Sequence, residues 1–206
     1  MNKEIKGASA VMNRILAFIN TIIGKYPEQE KLLLVSSMTR GCQILESLSL
    51  DLVSGCILRP VTPFDLALEI LKPDIDERRM KVISDKQVFE VLRQIVSSHY
   101  DDKMRAKNSA DLAILFEKII QLRLNGEENN HGSGNREIGW ILNEYDLTLE
   151  AGGFLDEAAV FEKAAGIMES NSSIHEQKIF IIPEPLMLSP IAHRFVDAVK
   201  AEEAYK

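Results

Sequence analysis

The chain carries few of the residues from which catalytic sites are usually built. Two cysteines and four histidines are spread over 206 residues. Cys42 and Cys56 have no CxxC partner and no neighbouring His, so their spacing encodes neither a zinc site nor a disulfide framework. They read as small buried or half-buried thiols in a reducing compartment. His99, His131, His175 and His193 lack ligand spacing, which leaves no metal site to assign. Long apolar runs are also missing. Stretches such as "KLLLVSS" are far too short to cross a bilayer. The opening "MNKEIKG" has no signal-peptide apolar region, so the expectation is a cytoplasmic protein with no membrane partner. Basic excess is absent too, with a net charge of −7 and a pI near 5.2. Affinity for nucleic acid draws on clustered Lys and Arg, and this chain has only short pairs such as Arg78-Arg79. On charge alone it is a poor independent DNA binder, although it fits one wall of a larger assembly.

Apolar residues are plentiful, at 46% of the sequence, enough for a packed core. "VMNRILAFINTII" (11–23) has helical apolar spacing, with Gly24 placed to end it. "KLLLVSS" (31–37) reads as a strand covered on both faces, and it leads into a helix over "MTRGCQILESLSLDLV". A short strand at Ile57-Leu58 precedes a helix capped by Thr62, with Pro63 in the first helical position. Residues 80–83 read as extended, with a helix capped by Ser84 or Asp85 behind them. Further helices are expected at 109–124, over "REIGWILNEYDLTLEAG" and over "LDEAAVFEKAAGIMES". "NGEENNHGSGN" (125–135) reads as a flexible polar loop. The intensely apolar Ile179-Phe180-Ile181-Ile182 reads as a final strand, closed by Pro183-Glu184-Pro185, with a helix from about Ser189 to Glu203. Strands separated by helices imply a parallel sheet.

Single motifs offer little chemistry. A phosphate loop needs G-x-x-x-x-G-K-[ST]. In "GASAVMNR", Gly7 fits the first position, but Met12, Asn13 and Arg14 occupy the last three. "HGSGN" has glycines but no lysine. Asp101-Asp102, Asp156-Glu157 and Glu202-Glu203 read as solvated charge on helix faces or ends. Asp74-Ile75-Asp76-Glu77 reads as a proline-containing turn without calcium-loop spacing. Ser36-Ser37 lacks a nucleophile-elbow pattern. Trp140 reads as a half-buried packing residue.

The order of these segments is more informative. It resembles the N-terminal helicase-like region of the AddB/RexB family of DNA-repair helicase–nuclease subunits, related to the UvrD and RecB superfamily-one helicases. "GASAVMNRIL" is similar to the phosphate loop that opens the first helix. "LLLVSSMTRGCQIL" and "RPVTPFDLALEIL" are similar to the strand–turn–helix segments that contact DNA. "EAGGFLDEAAVFEKAAGIM" resembles the end of the inserted helical subdomain. "IFIIPEPLMLSPIAHRFVDAV" is similar to the magnesium-binding strand and the helix after it.

The resemblance implies a P-loop NTPase-like parallel sheet flanked by helices. Residues 1–83 and 171–206 would form that α/β domain, and residues 84–170 an inserted helical subdomain. It also implies where function has been lost. Asn13 and Arg14 stand at the Lys and Thr/Ser positions of the phosphate loop. Pro183 replaces the magnesium-binding Asp, Glu184 matches the catalytic Glu, and Leu186 takes the nucleotide-sensing position. Without the lysine and the metal-binding oxygens, the electrostatic stabilisation of phosphoryl transfer is gone. The expectation is a noncatalytic, ATPase-dead module with no cofactor. It would meet DNA through a larger parent protein and pair with a helicase or nuclease subunit. Thr39, Arg40, Thr62 and Phe64 are the expected DNA contacts. The family's PD-(D/E)xK nuclease lies downstream of this region, and nothing in these residues matches it. The alternative is a standalone α/β protein-interaction module with no DNA role. An α/β enzyme of another kind ranks last, because no convergent polar set is visible.

Overall fold

The computed structural model describes residues 2–48, 58–99, 109–126, 136–170 and 178–200. These form eight helices and five strands of a mixed, mostly helical α/β fold. In order they are α1 (Asn2–Lys25), β1 (Glu30–Leu34), α2 (Met38–Leu48), β2 (Leu58–Val61), α3 (Pro63–Arg78), β3 (Lys81–Val82) and α4 (Asp85–His99). Then come α5 (Ser109–Leu124), α6 (Arg136–Gly152), β4 (Phe154–Leu155), α7 (Glu157–Ser170), β5 (Lys178–Ile181) and α8 (Pro190–Val199). Cys56, Asp101-Asp102, His131, His175 and Glu202-Glu203 lie outside the described residues, as does most of the 125–135 loop.

Three strands form a parallel sheet in the order β2-β1-β5. β1 is the middle strand, and its apolar run is buried on both sides as its composition demands. Side chains alternate between faces with period two. Leu32 and Leu34 enter a cluster with α3, α7 and α8, whereas Leu33 and Val35 enter another with α1 and α2. Gly41 lets α2 approach this sheet closely, since a Cβ there would lie 2.4 Å from Cβ of Pro60. A second pair of parallel strands, β3 and β4, aligns Lys81 with Phe154 and Val82 with Leu155.

The third cluster is helical. Val88, Leu92, Ile95 and Val96 of α4 meet Phe116 and Ile119 of α5 and Ile141, Leu142, Tyr145 and Leu149 of α6. Trp140 packs against it, partly buried. α7 lies within the span 84–170 but packs with α3 and α8 on the sheet side. The helical cluster itself is therefore built from α4, α5 and α6.

Several local expectations need correction. Gly7, Met12, Asn13 and Arg14 all sit inside α1, which is helical from Asn2. Around Gly7, Ala8, Ala10, Met12 and Arg14 favour helix, and the helix runs through Gly7, Ser9 and Asn13. The main-chain N–H groups there belong to the helical ladder, so the stretch is not a loop, and no strand precedes it among the described residues. Asp74 to Glu77 belong to the last turns of α3, which continues through Pro73. That proline removes one helical hydrogen bond. Burial of Leu66, Ala67 and Leu71 holds the helix nonetheless, and Arg79, at φ 53°, closes it by donating its N–H to the Ile75 carbonyl. β4 has only two residues, too few to register as a strand pattern. Cys42 is exposed rather than buried.

Candidate functional site

Parallel strands β1 and β5 end side by side, so the segments leaving them share one edge of the sheet. After β1, the chain turns through Ser36 and Ser37 into α2. The Ser37 hydroxyl accepts from the Arg40 N–H at 3.2 Å, capping the first turn. That turn aims Arg40 across the edge. After β5, Pro183 and Pro185 flank Glu184, and Pro183 has no side-chain oxygen to offer. Arg40 and Glu184 meet as a two-point pair, with Nε donating to Oε1 at 3.0 Å and Nη2 to Oε2 at 2.9 Å. The residues are 144 positions apart in sequence. Their side chains are 27% and 22% exposed, so solvent reaches the pair from one side. The hydrogen bonds that Arg40 donates to Glu184 raise its guanidinium above the ordinary range, against the opposing effect of partial burial.

The other expected residues at this edge have different duties. Thr39 is exposed. Thr62 is the N-cap of α3, as its sequence context indicates. Its hydroxyl accepts from the Asp65 N–H at 3.2 Å and donates to the Asp65 carboxylate at 2.6 Å. Phe64 packs edge-on against Phe161, with ring centroids 5.8 Å apart, and joins the core cluster of the sheet. Leu186 is buried at 7% exposure in that same cluster, while Met187 is 97% exposed. Met12 packs against the α1–α2 face of the sheet, and Asn13 and Arg14 are exposed. Among the four expected contacts, Arg40 is the one brought against Glu184, in the segment that leaves β5.

A second arginine–carboxylate site was not visible in the sequence. Asp156, expected on a solvated face, is 6% exposed. It precedes α7 and caps it by accepting from the Ala159 N–H at 2.9 Å. Arg123, near the end of α5, donates to Asp156 through Nε at 2.8 Å and also pairs with Asp146 of α6. The Tyr145 hydroxyl of α6 donates to Asp156 at 3.2 Å. The Arg123 guanidinium also lies over the Tyr145 ring, 5.3 Å from its centroid. Burial, then the Asp156 charge, push the Tyr145 phenol well above its usual range. No local motif announces this set, because its members come from α5, α6 and the start of α7.

Two hollows flank the network. One, of about 660 Å³, is lined by Phe64, Val88, Ile120, Asp85 and Glu157 among others. The second, of about 700 Å³, lies among α5, α6, α7 and the start of α8. Glu157 sits on the rim of the first. Partial desolvation there, and then the charges of Asp85 and Asp156, raise its carboxyl.

No family model and no curated protein matches the chain.

The chemistry of the sheet edge follows from its geometry. Both arms of the Arg40 guanidinium hold the Glu184 carboxylate, so its oxygens are engaged in charge-assisted hydrogen bonds. With proline beside it, the strand end supplies one oxygen-bearing side chain where a divalent cation needs several ligands. Among the described residues, no group of three or more His, Cys, Asp or Glu side chains could hold a metal ion. No helix among them is long and apolar enough to cross a membrane.

Proposed function

We propose that this chain is a noncatalytic helicase-like α/β module of a DNA-repair helicase–exonuclease, serving as scaffold and as a wall of the DNA channel. The observation that carries this reading is the Arg40–Glu184 pair. It joins the segment resembling a DNA-contacting turn to the segment resembling the magnesium strand. It also engages the one acid retained from the expected catalytic pair. Further support comes from the parallel β1–β5 pairing, which puts both strand ends on one edge, where open α/β sheets commonly bind their ligands. The P-loop NTPase-like fold and the loss of ATPase function are parts of the same proposal.

The direct test is fluorescence anisotropy with a single-stranded oligonucleotide at low ionic strength. Weak binding that falls steeply with added salt is expected. No binding at low salt would overturn the reading. It would favour the second one, a protein-interaction module, for which the exposed Ile114 and Leu147 of the helical layer argue at 67% and 52% exposure.

A further inference from the structure

We infer that Glu184 is a built-in competitor for Arg40, occupying the place of a backbone phosphate of single-stranded DNA. The inference rests on the nucleic-acid reading above and deepens it. A guanidinium presents two parallel N–H donors that fit a carboxylate and a phosphate in the same way. Here both donors are taken by the Glu184 carboxylate, at 3.0 and 2.9 Å. The carboxylate arrives from a different strand, fixed by prolines on both sides and by the parallel pairing of β5 with β1. Arg40 is fixed in turn by the capped first turn of α2. The fork is thus preorganised and presented at the strand ends, with Ser36, Ser37 and Thr39 exposed around it.

The pair is only partly buried, and that determines its role. A fully enclosed pair would be a permanent clasp. One with 27% and 22% of its side chains exposed can exchange partners with an anion arriving from solvent. Partly exposed pairs are weak enough that competition of this kind costs an incoming phosphate roughly fivefold in affinity. DNA held by many contacts elsewhere would overcome that loss, whereas a lone phosphate would not. Glu184 would then suppress binding of short or misplaced anions at this edge without preventing engagement of a longer strand.

The test is a double-mutant cycle on oligonucleotide affinity, with thermal melting to confirm that each variant folds. Glu184→Gln keeps the shape of the side chain and removes its charge. It should tighten binding about three- to fivefold and steepen the salt dependence by about one released counterion. Arg40→Gln alone should weaken binding less than it does in the Glu184→Gln background, because Glu184 already offsets part of the contact. In the Glu184→Gln background, Arg40→Gln should erase the gain. Glu169→Gln removes the same charge from the exposed pair with Arg194 and should have no such effect.

Equal binding by wild type and Glu184→Gln would overturn the inference and leave the DNA reading standing. An equal gain from Glu169→Gln would overturn it as a net-charge effect. Inorganic phosphate that abolishes the gain at matched ionic strength would assign the fork to a free anion and overturn the DNA source. Absence of binding by wild type and every variant would overturn both the inference and the reading beneath it.

Discussion

Arg40–Glu184 and Arg123–Asp156 are the same chemical pair in two surroundings. Each joins a guanidinium to a carboxylate distant in sequence, with Nε contacts of 3.0 and 2.8 Å. The first stands at the sheet edge with about a quarter of each side chain exposed. The second has side chains 15% and 9% exposed and is tied to Tyr145, Asp146 and the first turn of α7. Where water is excluded, an ion pair without its partner leaves a stranded charge. Where water can enter, the same loss is largely rehydrated. The contrast separates a junction that holds the helical layer to the sheet side from a contact free to change partners.

The largest expected effect is at the junction. Asp156→Ala leaves Arg123 with Asp146 as its remaining carboxylate, takes the partner of the Tyr145 hydroxyl and removes the cap of α7, so it should cost about 3 kcal/mol in chemical denaturation. A loss below about 1 kcal/mol would erase the distinction between the two sites.

Tyr145→Phe should cost about 1 kcal/mol at neutral pH, through its lost hydrogen bond. It should also flatten the alkaline limb of stability. The folded phenol pKa is raised, so its contribution is present below the ordinary tyrosine value of about 10 and declines above it. Parallel pH–stability curves for wild type and Tyr145→Phe would contradict this assignment.

The smallest effect belongs to the edge. Glu184→Gln should change stability by less than about 1 kcal/mol. A loss as large as that of Asp156→Ala would make the edge pair a structural clasp.

The parts of the fold most legible in sequence were those set by local signals. Thr62-Pro63 gives the start of α3, and the continuous apolar run Leu32–Val35 gives a strand buried on both faces. Parallel pairing followed from the alternation of strands and helices. The two-residue strands β3 and β4 are too short to carry a period, so only β3 was anticipated, as an extended segment. Pro73 misled the reading of α3, because packing on both sides of it outweighs one missing hydrogen bond. Gly7 misled the reading of α1 in the same way, through one residue type taken without its helical neighbours. Arg40 and Glu184 were each singled out from sequence, but their contact spans 144 positions and exists only because β5 lies beside β1. Asp156 looked like half of an acidic surface pair until Arg123 and Tyr145 were brought to it.

The central claim of the proposed function is that Glu184, at the sheet edge, is held by Arg40 and does no nucleotide chemistry. Isothermal titration calorimetry with a non-hydrolysable ATP analogue and magnesium measures this most directly. The account predicts no binding to wild type and none to Glu184→Gln. Micromolar binding to wild type that disappears in Glu184→Gln would contradict it.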